Sequence, residues 1–114
     1  DQANEQHYEL PPEYFELVLG RRRKYSCCFW DKNTATLDQA EAESLQRVCA
    51  NAGIVDGQRI LDLGCGWGSM TLWLAEHYPN SKIVGVSNST RQRAAILQQC
   101  AARNLTNVEI VTLD

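Results

Sequence analysis

Nowhere does this sequence hold a run near the ~18 uninterrupted apolar residues that a membrane-spanning helix needs, which excludes a transmembrane protein. It has no basic excess either: 11 Lys and Arg face 14 Asp and Glu, for a formal net charge of -3, so a general nucleic-acid binder is disfavoured. Five cysteines are an odd number and include no C-x-x-C pair, and the two histidines, His7 and His77, lie far apart and near no cysteine cluster. That pattern disfavours both a disulfide framework and a structural zinc site. The opening DQANEQHYELPP lacks the charged, apolar and small-residue segments of a secretory leader. A cytoplasmic location is the expectation. Internal repeats, low-complexity tracts and flexible linkers are missing as well. With 44% hydrophobic and 22% charged residues over 114 positions, the composition is that of an ordered globular chain of a single domain.

From Gln58 onward the apolar pattern changes period repeatedly, each change with its own punctuation. RILDL (59–63) reads as a buried strand ending in the glycine-rich turn GCGWG (64–68). A helix should follow, because Met70, Trp73, Leu74 and His77 or Tyr78 recur at helical spacing until Pro79-Asn80 stops them. KIVGV (82–86) predicts a second buried strand. Ser89 and Gln92 form a capping box for a second helix with Ile96, Leu97, Cys100, Ala101 and Asn104 on one face. NVEIVTLD (107–114) is alternating and β-branched enough for a third strand. The succession implies parallel βαβ units, an α/β fold with helices on both faces of the sheet.

The first half differs in kind. PPEYFELVLG (11–20) predicts a short helix with Pro12 at its start, Phe15, Val18 and Leu19 on one face, and Gly20 ending it. Residues 21–35 show no period and read as a loop; the basic run Arg21 to Lys24 would be a solvated face, or a patch for a lipid headgroup or acidic substrate. Thr36 with Gln39 caps an amphipathic helix marked by Leu45, Val48, Cys49 and Ala52, which Gly53 terminates. In a doubly wound sheet the first strand sits in the middle and leaves one edge open for a fourth. The expected organisation is therefore a helical arm and cofactor lid over 1–53, then the first half of a Rossmann-like domain over 54–114.

A glycine-rich turn between a strand and a helix brings backbone N–H groups close to a ligand. The spacing here does not suit a dinucleotide: Gly64 and Gly66 are followed by Gly68 and then Ser69, and VGVSNS (84–89) offers no acid for the ribose hydroxyls. A nicotinamide oxidoreductase is disfavoured for that reason, and a P-loop because no Gly-Lys-Ser/Thr follows. What remains is D-x-G-x-G-x-G with Asp62 just ahead of the turn. The residue-level alternative for Asp62 is that it merely bonds turn amides.

This motif resembles the first motif of class I S-adenosylmethionine-dependent methyltransferases. HYELPPEYFELVLG (7–20), KYSCCFW (24–30), LDLGCGWGS (61–69) and GVSNSTRQR (85–93) occur in the same order in the family of cyclopropane fatty acid synthases and coclaurine N-methyltransferase-like enzymes, so the resemblance covers nearly the whole chain. It implies S-adenosylmethionine as cofactor, with Tyr25 and Ser26 folded over it. Gly64 and Gly66 would hold its methionine part, Asp62 would face the ammonium, and Ser87, Asn88 and Gln92 would lie along the adenosine. It also implies an amine or an unsaturated acyl chain as methyl acceptor, peripheral membrane contact in the lipid branch, and a catalytic base beyond Asp114. Cys27 aligns with a cysteine that helps hold bicarbonate in cyclopropane synthases. KYSCCFW, HYELP and GVSNS are closer to the amine-methylating branch than to the lipid branch, where the last segment reads more like GVTLS. The rival of another class is a non-catalytic methyltransferase-like domain that binds cofactor or a partner without turnover. Competing local roles stay open: Gln92 as part of the capping box, Tyr25, Phe29 and Trp30 as anchors packing the arm, and the cysteines as inert thiols.

Overall fold

A computed structural model describes residues 10–113. Helix α1 (Pro12–Val18) starts on a proline whose missing N–H is not needed at that position. It buries Phe15 completely but leaves Val18 exposed. Its cap, Leu19, is extended, and Gly20 has no left-handed backbone. Gly20 therefore does not end the helix through its own conformational freedom.

Helix α2 (Leu37–Asn51) is capped by Thr36, whose hydroxyl accepts the Gln39 N–H at 3.2 Å. Gln39 answers one residue earlier than the usual box, its amide oxygen accepting the N–H of Ala35 at 2.8 Å. The helix closes with Gly53 at φ 66° and paired bonds from Gly53 to Ala50 and from Ile54 to Cys49, which satisfy its last carbonyls. The buried positions are Ala40, Glu41, Ser44, Leu45 and Cys49. Val48 and Ala52 are exposed, contrary to the apolar pattern.

The three strands, β1 (Arg59–Leu63), β2 (Lys82–Ser87) and β3 (Val108–Thr112), form one parallel sheet in the order β1-β2-β3. Helices α3 (Ser69–His77) and α4 (Thr90–Ala102) make the crossovers. Past the end of α4 the chain turns at Asn104, with φ 56°, so this residue closes the helix and does not extend its apolar face.

The register places Ile60, Asp62, Ile83, Gly85, Val108 and Ile110 on one face of the sheet. Leu45, Cys49, Trp73 and Leu74 pack there with Ile83, and Leu72, Ile96 and Cys100 pack there with Ile110. Among the described residues the covering helices thus lie on a single face, because both crossovers step in the same direction. The expectation of helices on both faces is corrected. The opposite face, with Leu61, Leu63, Val84 and Val86, has no cover among the described residues, so β1 is largely exposed where a buried strand was expected.

Candidate cofactor site

Above the carboxyl ends of the strands lies a cleft of about 540 Å³, where open α/β sheets bind their ligands. Its lower wall is the turn between β1 and α3. Gly64, Gly66 and Gly68 have φ of 69°, 58° and 89°, left-handed backbone that glycine adopts without steric cost. A Cβ on Gly64 or Gly66 would project into open space, whereas one on Gly68 would sit 2.7 Å from the Ile96 side chain. The first two glycines keep the cleft open; the third lets α3 pack on α4.

The cleft brings together seven of the eight residues expected at a cofactor: Tyr25, Ser26, Gly64, Gly66, Ser87, Asn88 and Gln92. They come from the loop after α1, the β1–α3 turn and the end of β2 with the start of α4. Ser89 caps α4 by accepting the Gln92 N–H at 3.2 Å. The Ser89 N–H donates to the Ser87 hydroxyl, which in turn donates to Gln92 Oε1 at 2.9 Å. Among the described residues, Gln92 Nε2 is left buried with no hydrogen-bond partner, and so is the indole nitrogen of Trp67, another residue of the cleft wall. Buried donors of this kind call for an acceptor.

Asp62 stands apart from the cleft wall. Its Oδ2 accepts the Thr71 hydroxyl at 2.7 Å, tying β1 to the first turn of α3. Burial pushes the Asp62 carboxyl up, and bonds from the Thr71 hydroxyl and amide oppose that rise. The neighbouring Cys65 thiol is pushed up to about 11 by burial and by the Asp62 charge. It stays a protonated, inert group at neutral pH.

Sequence reasoning missed Trp67, which is buried in the turn with its ring centroid 4.7 Å from that of Phe15. Phe15 also meets Tyr25 edge-on at 5.3 Å, so this one side chain joins α1, the loop and the glycine turn. A tryptophan between two glycines shows no period, and only its size hints at an anchor. The anchors expected of Phe29 and Trp30 are absent, since both are exposed and Phe29 carries the Arg47 guanidinium at 3.9 Å from its ring. Cys27 is exposed and free, off the cleft wall. The basic run is only in part a solvated face: Arg21 is exposed, but Arg22 pairs with Glu76 at 2.9 Å, 4.9 Å over the Trp73 ring, and Arg23 pairs with Glu16 at 2.9 Å. Residues 1–9, including His7, and Asp114 lie outside the described residues.

A parallel α/β sheet whose first strand leaves by a glycine turn beneath such a cleft defines the cofactor-binding half of a doubly wound fold. The chain belongs to the mycolic acid cyclopropane synthetase family, whose profile matches residues 1–114. It is 40% identical over 111 residues to (S)-coclaurine N-methyltransferase of Thalictrum flavum subsp. glaucum, covering 97% of this chain and 31% of that protein. It is 32% identical over 104 residues to the cyclopropane-fatty-acyl-phospholipid synthase of Escherichia coli K12, covering 91% of this chain and 27% of that protein. A crystal structure of coclaurine N-methyltransferase bound to N-methylheliamine and SAH superposes with a TM-score of 0.95 at 41% identity, covering 97% of this chain and 32% of the other. A mycolic acid cyclopropane synthase complexed with SAH and CTAB gives 0.83 at 27% identity, covering 94% and 38%. The chain thus spans about a third of the length of these relatives.

Proposed function

We propose that the protein carrying this chain is an S-adenosylmethionine-dependent methyltransferase acting on a small amine, and that this chain supplies the cofactor half of its site. The supporting observation is the convergence of those seven residues on one cleft. The cleft suits the cofactor: two glycines leave the turn open, and the buried donors of Gln92 and Trp67 await acceptors. The bound cofactor supplies an activated methyl on a sulfonium. Gly64 and Gly66 admit its amino-acid end against the backbone; Ser87, Asn88 and Gln92 offer hydroxyl and amide groups where a dinucleotide site would place an acid. Tyr25 and Ser26 cover the site and keep water out. Asp62 acts at one remove, fixing the turn through Thr71 and placing negative charge beneath it.

Identity favours the amine as acceptor, at 40% against 32% for the lipid enzyme, as does GVSNS after the second strand. Calorimetry on the full-length protein should show binding of S-adenosylmethionine and S-adenosylhomocysteine, abolished in Gly66→Val, whose side chain would fill the cleft from a strained backbone. Unchanged affinity in that variant would overturn the site. With radiolabelled cofactor and a panel of small amines, phospholipids and RNA, label should enter amines alone. Neither bicarbonate nor Cys27→Ser should alter the rate. Binding without transfer to any acceptor would favour the non-catalytic alternative.

A further inference from the structure

Residues 25–28, of which Tyr25 and Ser26 lie on the cleft wall, run between two ties to a single helix. No residue between 21 and 35 belongs to a helix or strand, so the backbone groups there need other partners. On the upstream side they find Glu41 of α2, whose side chain is completely buried. Its Oε2 accepts the N–H groups of Gly20 and Lys24, each at 3.1 Å, and its Oε1 accepts that of Arg22 at 2.9 Å. On the downstream side the Ser44 hydroxyl accepts the Phe29 N–H at 2.6 Å while donating to the Ala40 carbonyl at 2.7 Å. Glu41 and Ser44 are three residues apart and share one side of α2.

A buried carboxylate is costly unless its oxygens are filled by donors, and here backbone amides fill them while the side chains of Arg22 and Arg23 turn away to Glu76 and Glu16. Gly20 is shaped by the same contact: a Cβ there would lie 2.7 Å from Glu41 Cδ and 2.8 Å from Asp38 Oδ1. The four residues between the ties include Tyr25 and Ser26, both on the cleft wall.

We propose that Glu41, assisted by Ser44, is a positioning residue for the cofactor site, a latch that holds Tyr25 and Ser26 over the cleft. This rests on the reading of the cleft as an S-adenosylmethionine site. Glu41→Gln keeps the shape of the side chain but replaces one acceptor oxygen with an NH2 group facing an N–H donor. In the full-length protein without cofactor, hydrogen exchange over residues 20–29 should quicken about tenfold or more, with protection of the three strands retained. The Kd for S-adenosylhomocysteine should rise about tenfold, the loss of roughly one charge-assisted hydrogen bond. The KM for S-adenosylmethionine should rise likewise while the KM for the acceptor amine does not, a split that general loosening would not produce. If Glu41→Gln does not fold, Ser44→Ala and Gly20→Ala carry the test, with the same directions expected. Faster exchange with unchanged cofactor affinity overturns the positioning role and leaves the cofactor reading intact. Unchanged exchange overturns the latch. A wild-type protein that binds no S-adenosylhomocysteine overturns both.

Discussion

Gly85 shows how much one missing side chain decides. It pairs in register with Asp62, and a Cβ on it would lie 3.0 Å from the Thr71 hydroxyl and 2.9 Å from Ile110 Cδ1. Its bareness is what allows the Thr71 hydroxyl to stand 2.7 Å from Asp62 and α3 to settle on the sheet. Its φ is not positive, so packing and not backbone freedom selects glycine there. Gly85→Ala should therefore destabilise the fold by ~1–3 kcal/mol, the usual cost of overpacking. Gly64→Ala, whose added methyl meets open space, should cost only the strain of a left-handed residue, roughly 1–2 kcal/mol, but should weaken cofactor binding. Urea unfolding and calorimetry on the two variants separate the roles; equal stability losses with equal effects on affinity would contradict the distinction. The turn was legible in the sequence because glycine at alternate positions after a strand has few physical uses. The role of Gly85 was not, because it depends on three side chains from other elements.

At the level of elements, α3 is held by charge as well as by apolar contact. Glu76 receives Arg22 from the loop after α1 at 2.9 Å and Arg103 from the end of α4 at 2.5 Å. Burial alone would push the Glu76 carboxyl up, but the bonds and charges of the two arginines outweigh it and hold the group below its ordinary range. A carboxylate lowered in this way contributes stability that is fully present above its unfolded pKa and disappears as pH falls through the folded value. Glu76→Gln should thus cost about 1 kcal/mol at neutral pH, within the range for a partly exposed pair, and the deficit should vanish on acidification below the carboxylate range. Urea unfolding at the two pH values measures it; a deficit independent of pH would show that the arginines do not favour the ionised form. Among the described residues each helix and strand was legible from period and punctuation. The face of α2 was legible only in part: Leu45 and Cys49 are buried as their spacing indicates, but hydropathy also selects Val48 and Ala52, while the helix buries Glu41 and Ser44, because the loop it holds offers amides that no apolar pattern can register. Gln92 shows the same limit: its spacing from Ser89 announces the cap that is present, but not the Ser87 hydroxyl that donates to its side-chain oxygen.

At the scale of the whole chain, the described residues cover the sheet on one face only. Leu61 and Leu63 are 59% and 73% exposed, and Val84, Val86 and Val111 continue the same surface in register across β2 and β3. The outer edge of β1 has no partner strand among the described residues, leaving a row of backbone donors and acceptors beside that apolar surface. Contiguous apolar patches and open strand edges both promote association, and residues 10–113, with 11 Lys and Arg against 10 Asp and Glu, carry too small a net charge to oppose it. Residues 10–113 expressed alone should therefore self-associate at micromolar concentrations, and Leu61→Glu combined with Leu63→Glu should shift them towards monomer, since both positions face away from the helices. Sedimentation velocity on the two forms, with thermal unfolding to report cooperativity, gives the test. A cooperatively folded, monomeric wild-type chain would mean that the uncovered face and edge tolerate water, and the charged pair would then have nothing to relieve. Association that persists unchanged in the double variant would instead place its origin at the open edges of β1 and β3, where backbone pairing is indifferent to the side chains of the open face.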